Sequence, residues 1–370
     1  MTTTRPPAAE ARIAGAPISW GVCEVPGWGH QLGPDRVLAE MRQVGLTATE
    51  LGPDGFLPAQ PDAMRRVLDH HGLRAVGGFT PLLLHVASHD PVPEVERLLQ
   101  GYDATGADVL VLSAVTGAAG YDTRPVLDDD GWMLLLANLD RLAELAASRG
   151  VRAVLHPHVG TMVETGAEVR QVLDGSWISL CLDTGHLLIG GTDPAELARQ
   201  APERIAHVHF KDVDARLARR VQDGRLTYSQ GVREGMYRPL GSGDVDVPAI
   251  VGSLRARGYA GWYVLEQDTI LTEEPRGEGP VADVRASADY LRSVLRGTVA
   301  HWRLVRTADC GGVPWDDRPV WCPRHLRWPT LVGWPPCARP TCWTPLPRTP
   351  STGWPGWPPA SWTSPSRWCR

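Results

Sequence analysis

Short runs rich in β-branched and other apolar residues alternate with longer segments of helical periodicity between residues 12 and 297. This alternation predicts repeated βα units around a parallel sheet, because parallel strands need a crossover connection between them. Eight units can be recognised. Their predicted strands are 12–19 (RIAGAPIS), 47–52 (TATELG), 73–79 (LRAVGGF), 107–113 (ADVLVLS), 152–157 (RAVLHP), 177–183 (WISLCLD), 204–210 (RIAHVHF) and 261–267 (GWYVLEQ).

The predicted helices carry end signals that support this interpretation. Segments 34–45 (PDRVLAEMRQVG) and 61–72 (PDAMRRVLDHHG) open on Pro-Asp and close on Gly, as helices commonly do. Two further helical segments are 132–150 and 247–258. Eight units in this length match a closed (β/α)8 barrel, the TIM-barrel architecture, better than an open doubly wound sheet, and no GxGxxG motif follows the first strand.

The sequence changes character after about residue 298. Ten of the fifteen Trp and fourteen of the thirty-three Pro lie beyond that point. Because Pro breaks helices and central strands, we expect residues 298–370 to be irregular or disordered. The segment is interpreted either as a Pro-rich docking segment or, with more weight, as a non-native C-terminus. The predicted organisation is an extension (1–11), a barrel (12–297) and this tail.

The composition bounds the partners and the location. With 43% hydrophobic and 21% charged residues, the chain resembles a globular protein with a large core. No run of eighteen apolar residues and no secretory signal is present, so we expect a cytoplasmic protein that does not bind membranes. Acidic residues outnumber basic ones before residue 300, which argues against a nucleic-acid partner. Only Cys23 and Cys181 precede the tail, so a disulfide scaffold is not expected. Homo-oligomer formation is left open.

Polar side chains gather at the predicted strand ends, where barrels carry their functional residues. Those that could bind a ligand are Trp20, Glu50, His156, His158, Asp183, His186, His209, Lys211, Glu266 and Gln267. His156, Asp183, His209 and Glu266 end strands five to eight, which are neighbours around the rim. Two imidazoles and two carboxylates suit Mn, Co, Fe or Zn better than Ca or Mg. The sequence therefore predicts a divalent metal site.

Strand alternation refines this set, because residues two apart on a strand share a face. His207, His209 and Lys211 therefore point the same way, with His207 deeper in the strand and better suited to a structural or supporting role. The same argument pairs His156 with His158. His156 is preferred as the ligand, although the sequence alone does not decide between the two.

Lys211 stands out because it is the only lysine in the chain, all other basic side chains being Arg or His. Arg is not deprotonated near neutral pH, whereas a lysine of lowered pKa can donate or accept a proton. We therefore expect Lys211 to take part in chemistry, against the alternative that one lysine survived by chance in a loop.

Several other residues are weaker candidates. Glu50 could bind a substrate hydroxyl or be an exposed loop carboxylate. Trp20 and Trp28 flank a Gly-rich loop and could form the apolar wall of a sugar pocket, although packing alone explains them equally well. Arg238 precedes a turn and could reach a ligand oxygen, while Gly241 and Gly243 are expected to be turn residues, since no GxxxxGK motif is present.

Seven blocks of the sequence resemble one known family. They are APISWG, ELGPDGF, HPHVGTMVE, CLDTGHLLIGGTDP, RIAHVHFKDV, PLGSGDVD and GWYVLEQD, in order, between about residues 12 and 295. Together they are similar to the inosose dehydratases, which belong to the xylose isomerase-like barrels. The tail has no counterpart there.

This resemblance implies a metal-dependent hydro-lyase of inositol catabolism that dehydrates 2-keto-myo-inositol to a cyclohexanedione derivative. Mn or Co is the favoured metal, with Zn or Mg as alternatives. Related isomerases place Glu, Asp, His and Glu on the metal. Asp183, His209 and Glu266 match, whereas the first ligand corresponds to His156, with His158 or Glu164 as alternatives.

The resemblance also suggests roles around the metal. Lys211 and His186 are the candidates for proton transfer, and the substrate-binding candidates are Glu50, His158, Arg238 and Trp20. The main alternative function is a sugar or keto-sugar isomerase or epimerase of the same superfamily. An endonuclease IV-like nuclease, which the acidic body disfavours, and a non-catalytic polyol-binding barrel are the remaining alternatives.

Overall fold

The structure, a computed structural model, describes residues 12–297. The predictions for 1–11 and 298–370 lie outside the described residues. Within them, the strands are β1 (Arg12–Gly15), β2 (Ala48–Thr49), β3 (Arg74–Ala75), β4 (Gly77–Leu82), β5 (Val109–Ala114), β6 (Arg152–Leu155), β7 (Ser179–Asp183), β8 (Ile205–Phe210), β9 (Asp212–Val213), β10 (Tyr237–Arg238) and β11 (Trp262–Leu265).

The helices of the same region follow the strands in sequence. They are α1 (Pro34–Gln43), α2 (Pro61–His71), α3 (Val92–Thr105), α4 (Asp129–Ser148), α5 (Gly166–Gly175), α6 (Thr184–Ile189), α7 (Pro194–Gln200), α8 (Ala215–Gln222), α9 (Tyr228–Arg233), α10 (Val247–Ala256) and α11 (Val281–Leu295). Short 3-10 helices occupy Pro17–Trp20 and Pro202–Arg204. The helix ends follow their sequence signals, since α1 and α2 begin at Pro and Gly72 caps α2 with a positive φ.

The parallel strands form a closed barrel. Their order is β3-β2-β1-β11-β8-β7-β6-β5-β4, and only Val76 separates β3 from β4. The Val76 N–H donates to the Thr49 carbonyl on one side, and its carbonyl accepts from Val109 N on the other. β3 and β4 are therefore one interrupted strand, and the predicted (β/α)8 barrel is confirmed.

Gly77 makes this closure sterically feasible. A Cβ built on Gly77 would lie 1.7 Å from the Val109 carbonyl oxygen, so no larger residue fits without moving the backbone.

The observed elements confirm the eight predicted βα units and shorten several of them. The first strand ends at Gly15 rather than at residue 19, because a 3-10 helix begins at Pro17. The sequence did not predict an excursion between the seventh and eighth barrel strands. In it, α8 and α9 lie between β9 and β10, which pair antiparallel.

The turn that follows β10 is held by one buried carboxylate. Asp212 accepts hydrogen bonds from the backbone N–H groups of Val213, Gly241, Gly243 and Val245 at 2.7–3.0 Å. Gly241 has a φ of +82°, and a Cβ on Gly243 would lie 2.3 Å from an Asp212 oxygen. The expected turn role of both glycines is confirmed.

Side chains pack in two layers about the sheet. Mostly Ala and Val side chains, together with Cys181 and Trp262, fill the barrel interior. They include Ala14, Ala48, Val76, Val109, Val111, Val154, Cys181 and Val264. Larger Leu, Ile and aromatic side chains fill the space between the sheet and the surrounding helices.

Within residues 12–297, no helix has both the length and the apolar character needed to cross a bilayer.

Candidate metal centre and active site

Four polar side chains meet at the C-terminal ends of neighbouring strands. His156 directly follows β6, Asp183 ends β7, His209 lies near the end of β8 and Glu266 directly follows β11. Asp183 and His209 are register partners, and the backbone N–H of Glu266 donates to the Phe210 carbonyl. The barrel therefore brings residues from four consecutive barrel strands together at one point of its rim.

The donor atoms of this cluster face one another. One donor atom from each of His156, Asp183, His209 and Glu266 lies within 4.8 Å of the other three. The His156 Nε2 atom is 3.2 Å from Asp183 Oδ2, and His209 Nδ1 is 3.8 Å from the same oxygen. Glu266 Oε2 directly contacts His209 Nδ1. The first three side chains are fully buried, and Glu266 is 13% exposed.

The two carboxylate oxygens of Asp183 have different roles, because Asp183 also caps the helix that follows it. Its Oδ1 atom accepts the backbone N–H groups of Gly185 and His186 at 2.9 and 2.7 Å, and so caps α6. Its Oδ2 atom faces the cluster. The DTGH sequence thus fixes the carboxylate from the backbone side and leaves one oxygen for a ligand.

Glu50 contacts the nitrogen of His209 that points away from the four-donor cluster. Its Oε1 atom accepts hydrogen bonds from Nε2 of His207 and Nε2 of His209, at 3.0 and 2.9 Å. Glu50 is only 4% exposed. The structure therefore contradicts the exposed loop position, whereas substrate binding by Glu50 stays a prediction. The carboxylate orients the His209 ring so that Nδ1 faces the cluster.

The carboxylates of the cluster are ionised. Burial alone would raise the pKa of Asp183, but the Lys211 ammonium and His156 lower it below its usual value. Burial likewise opposes ionisation of Glu266, yet His209 and Lys211 hold its pKa well below the usual range. The pKa of Glu50 is lowered to about 2 by His209 and His207, against the effect of burial. Negative charge is therefore available for a cation.

These residues fit a divalent metal ion. Among the described residues, His209 Nδ1 and Glu266 Oε2 are buried and have no other hydrogen-bond partner. A histidine that binds metal through one nitrogen usually has a carboxylate on the other, which is the arrangement of His209 and Glu50. Two imidazoles and two carboxylates suit Mn, Co, Fe or Zn.

The two alternatives for the first ligand lie elsewhere. His158 is not part of the four-donor cluster, and its Nδ1 atom is 2.7 Å from the Val159 carbonyl. Glu164 accepts the Gly160 N–H at 2.7 Å and pairs with Arg124 at 3.2 Å. Of the three candidates, only His156 is brought to the cluster.

His186 presents one free nitrogen next to the cluster. Its Nδ1 atom accepts the Val159 N–H at 3.4 Å, while Nε2 is buried and has no partner in the part of the chain described. Burial and the neighbouring His158 and Lys211 hold the pKa of His186 well below its usual value. With Nδ1 accepting this hydrogen bond, the neutral ring carries its proton on Nε2. In the other tautomer, which gives up the 3.4 Å contact, Nε2 can accept a proton.

His158 packs against the His186 ring beside the four-donor cluster. The ring centroids of His158 and His186 are 3.6 Å apart. Tyr121 also stacks on His158, with ring centroids 5.6 Å apart. Burial and His156 lower the pKa of His158 to about 3, so its ring is neutral. Its predicted contact with substrate stays a prediction.

Lys211 lies beside the cluster in a strongly acidic environment. Its Nζ atom donates to Glu266 Oε1 at 2.8 Å, contacts Asp268 and lies 3.8 Å from Asp183 Oδ2. Burial would lower the pKa of Lys211, but Asp268, Glu266 and Asp183 raise it well above its usual value. The pKa of Lys211 is therefore shifted in the direction opposite to the one that proton exchange near neutral pH requires. Lys211 is a fixed cation and a hydrogen-bond donor.

Three site residues were not identified from the sequence. Asp268 receives the Lys211 ammonium on one oxygen and the Tyr228 hydroxyl on the other. The hydroxyl oxygens of Tyr228 and Tyr237 are 2.8 Å apart. Asp268 lies two residues beyond Glu266, so the alternation argument applied to β8 could have found it. Nothing in the sequence pattern distinguishes the two tyrosines.

Trp20 does not face the cluster. It is fully buried among apolar residues between the sheet and the helices, and its indole N–H donates to Glu40 of α1 at 2.7 Å. The 3-10 helix at Pro17–Trp20 turns the side chain outward. The predicted substrate wall at Trp20 is therefore wrong. Trp28 instead packs in the apolar cluster that contains Tyr228 and Tyr237.

Arg238 lies at the edge of the site. It pairs with Asp214 at 3.5 Å, is 42% exposed, and lines a small cavity together with Glu266 and Gln267. Substrate binding by Arg238 stays a prediction. Gln267 itself is held by Asp283, which accepts from its amide at 3.0 Å.

A larger cavity opens beside the cluster, with a volume of about 510 Å³. Its lining includes Tyr121, Val159, Ile189, Arg124 and Glu164. None of the four donors lines this cavity. Tyr121 also stacks on His158, so one side chain contacts both the cavity and the histidines beside the cluster.

A family model and the curated relatives agree on the family of this chain. Residues 38–294 match the family described as xylose isomerase-like TIM barrel. Rhizopine catabolism protein MocC of Rhizobium meliloti is 36% identical over 297 residues, which cover 75% of this chain and 90% of that protein. The inosose dehydratase of Geobacillus thermodenitrificans is 28% identical over 294 residues, covering 76% of this chain and 97% of that protein.

Solved structures support the same fold. The structure of an L-ribulose 3-epimerase aligns with a TM-score of 0.57 at 18% identity, covering 82% of this chain and all of that chain. The probable 3-DHS dehydratase AsbF of Bacillus anthracis aligns with a TM-score of 0.56 at 16% identity, covering 76% and 98%. At these identities the likeness concerns the barrel alone.

Proposed function

The chain belongs to the xylose isomerase-like TIM barrel family, and we propose that it is a metal-dependent dehydratase of a cyclic polyhydroxy ketone. The proposed substrate is 2-keto-myo-inositol, and the product is a trihydroxycyclohexanedione. The predicted relationship to the inosose dehydratases and the prediction of an enzyme are both confirmed by the curated relatives.

One observation carries the choice of dehydration over isomerisation. The chain is 28% identical to a protein named inosose dehydratase over 97% of that protein's length, so the sequence similarity extends over the whole barrel. Solved epimerases share the fold at much lower identity. Metal dependence is supported by the cluster of His156, Asp183, His209 and Glu266.

These four residues would hold the divalent ion, with Mn or Co proposed. When bound, the ion supplies Lewis-acid polarisation of the ketone and of the neighbouring hydroxyl. Glu50 keeps His209 oriented toward it through the 2.9 Å hydrogen bond to Nε2. The buried surroundings exclude water from the reacting carbons.

Two side chains of the protein are proposed to assist the bond-breaking steps of the dehydration. Dehydration breaks a C–H bond next to the ketone and the C–O bond of the hydroxyl one carbon further, and the hydroxyl leaves as water. His186 is proposed to accept the carbon-bound proton on Nε2, in the tautomer that carries its ring proton on Nδ1 and gives up the 3.4 Å hydrogen bond from the Val159 N–H. The Lys211 ammonium is proposed to donate a hydrogen bond to the departing hydroxyl. The proton taken up by His186 is returned to that hydroxyl, which leaves as water, so both side chains recover their starting protonation state. Positioned acids and bases of this kind contribute about 10²–10⁴-fold in rate.

The decisive test is incubation of the Mn-loaded and Co-loaded protein with 2-keto-myo-inositol in D2O. Formation of an ultraviolet-absorbing dione, with the mass loss of one water, is the expected result. Solvent deuterium entering the substrate without loss of water would contradict dehydration and favour an epimerase of the same superfamily. His186→Gln tests the proposed base in the same assay, since an amide cannot accept the proton.

The relative with the highest quoted identity is named for rhizopine catabolism, which favours a second substrate class. A rhizopine should therefore be assayed alongside 2-keto-myo-inositol under the same conditions. Faster turnover of the rhizopine or of a compound derived from it would retain the barrel chemistry and replace the proposed substrate. A cytoplasmic location stays a prediction from the sequence.

A further inference from the structure

A hydrogen-bonded chain extends from Lys211 away from the four-donor cluster. The Lys211 ammonium contacts Oδ1 of Asp268, and the Tyr228 hydroxyl donates to Oδ2 of the same carboxylate. Tyr228 has a single hydroxyl proton, so the 2.8 Å contact with Tyr237 is a bond that Tyr237 donates. All four side chains are at least nine-tenths buried.

Asp268 gives the ammonium a partner outside the cluster. The other carboxylates near Lys211 Nζ are Glu266, at 2.8 Å, and Asp183, at 3.8 Å. Both belong to the set that would hold the metal. Without Asp268, a buried ammonium would pair with the metal-binding oxygens alone, because an unpaired buried charge is costly.

The main chain of Lys211 is fixed independently of this network. Thr184 Oγ1 accepts the Lys211 N–H at 2.9 Å and donates to the Lys211 carbonyl at 2.6 Å. A Cβ on Gly185 would lie 2.7 Å from Lys211 Cβ, so the start of the side chain is tightly packed. The freedom that remains is that of the terminal carbons and the ammonium, and Asp268 removes it.

Tyr228 connects this carboxylate to the excursion between β9 and β10. It opens α9, and its backbone N–H donates to Asp122 at 2.9 Å. The ends of the excursion meet where Asp214 N donates to the Met236 carbonyl at 2.8 Å. The Tyr228 ring stacks on His186 with centroids 5.7 Å apart. Tyr228 thus contacts His186 directly and reaches Lys211 through Asp268.

We infer that Asp268 and Tyr228 are positioning residues, which hold the Lys211 ammonium against Oε1 of Glu266. Asp268 fixes the ammonium by charge and hydrogen bonding, and Tyr228 fixes Asp268. Tyr237 donates to Tyr228 and orients its hydroxyl toward the carboxylate. The inference concerns the same site as the proposed function and rests on it for the effect on catalysis.

The single lysine makes the position of its side chain measurable without any substrate. An amine-acylating reagent followed by peptide mass spectrometry reports Lys211 alone among side chains, because the chain has no other lysine. In Tyr228→Phe, which removes one oxygen atom, we expect Lys211 to be acylated about tenfold faster than in the wild type. We expect kcat to fall about tenfold as well, with KM within about twofold and metal content unchanged.

Two further variants complete the test. Asp268→Asn keeps the shape and removes the charge, and it should give a larger change in both quantities. Tyr263→Phe is the matched control, since the Tyr263 hydroxyl is buried and has no partner within residues 12–297, and it should change neither. If Asp268→Asn does not fold, Tyr228→Phe alone still decides.

Wild-type acylation and wild-type kcat in Tyr228→Phe would overturn the inference. The acylation measurement needs no turnover, so it also separates this inference from the proposed function. Absence of dione formation by the wild type, together with faster acylation of the variant, would sink the proposed function and leave the positioning of Lys211 intact.

Discussion

The Nε2 atom of His209 lies 2.9 Å from Oε1 of Glu50, a residue 159 positions earlier in the chain. Glu50 follows the second barrel strand and His209 lies on the seventh, so the bond crosses the barrel mouth. It makes the opposite nitrogen of His209 available to the cluster of donors. In the proposed metal site, a carboxylate in this place would orient His209 toward the ion.

We predict that Glu50→Gln weakens metal binding while the fold is retained. The amide can still hydrogen-bond to one histidine, but it does not supply the charge that makes His209 a better ligand. The expected loss in Mn affinity is about 10–100-fold, measured by titration calorimetry of the metal-free protein. Glu96→Gln, an exposed change on α3, should leave the affinity unchanged. Wild-type affinity in Glu50→Gln would show that the His209 support is dispensable.

Substitution of Lys211 tests its role as a fixed donor. Lys211→Met keeps the volume and removes the ammonium, so kcat should fall by about 10²–10⁴-fold. Lys211→Arg keeps the charge, yet it should not restore activity, because the space beside Gly185 and Tyr237 does not admit the planar guanidinium. Steady-state kinetics with the metal-loaded variants gives both values. Near wild-type kcat in Lys211→Met would remove this residue from the mechanism.

The close packing at Gly185 predicts a cost in stability. In Gly185→Ala the new Cβ would meet Lys211 Cβ at 2.7 Å and Tyr237 Cε1 at 2.8 Å. The free energy of unfolding should drop by about 1–3 kcal/mol, as measured by urea denaturation. Gly252→Ala is the matched control, because this glycine lies in α10 with nothing within 4 Å of an added Cβ. That variant should gain about 0.5–1 kcal/mol, and an equal effect of both changes would contradict the packing argument.

The Cys23 thiol should resist alkylation near neutral pH. Burial, with a contribution from Glu24, raises its pKa to about 12. At pH 8 such a thiol is roughly one ten-thousandth thiolate, whereas an ordinary cysteine is about a quarter thiolate. Its iodoacetamide rate, followed by peptide mass spectrometry, should rise about tenfold per pH unit between pH 8 and 11. Fast labelling at pH 8 would contradict the buried position.

The sequence predicted the barrel and the location of its site for one physical reason. Parallel strands end at the same rim, so polar residues that close successive strands must converge there. The sequence pattern alone predicts that Asp183, His209, Glu266 and His156 lie together. The observed four-donor cluster contains the same residues.

Other features of the site depend on contacts that no local pattern encodes. Glu50 meets His207 and His209 across the barrel, and strand order alone does not give that distance. The raised pKa of Lys211 results from three carboxylates, one of which, Asp268, lies beyond the predicted strand end. Trp20 was misplaced because a single 3-10 turn rotates its side chain from the rim to the outer core.

Metal analysis tests the central claim most directly. Wild-type protein, Glu266→Ala and His156→Ala should be loaded with Mn and freed of excess metal by gel filtration. Their metal content should then be measured by inductively coupled plasma mass spectrometry. The wild type is predicted to retain about one ion per chain, and both variants about a tenth of that or less. Equal metal content in all three proteins would contradict the assignment of these residues as ligands, and with it the proposed chemistry of the site.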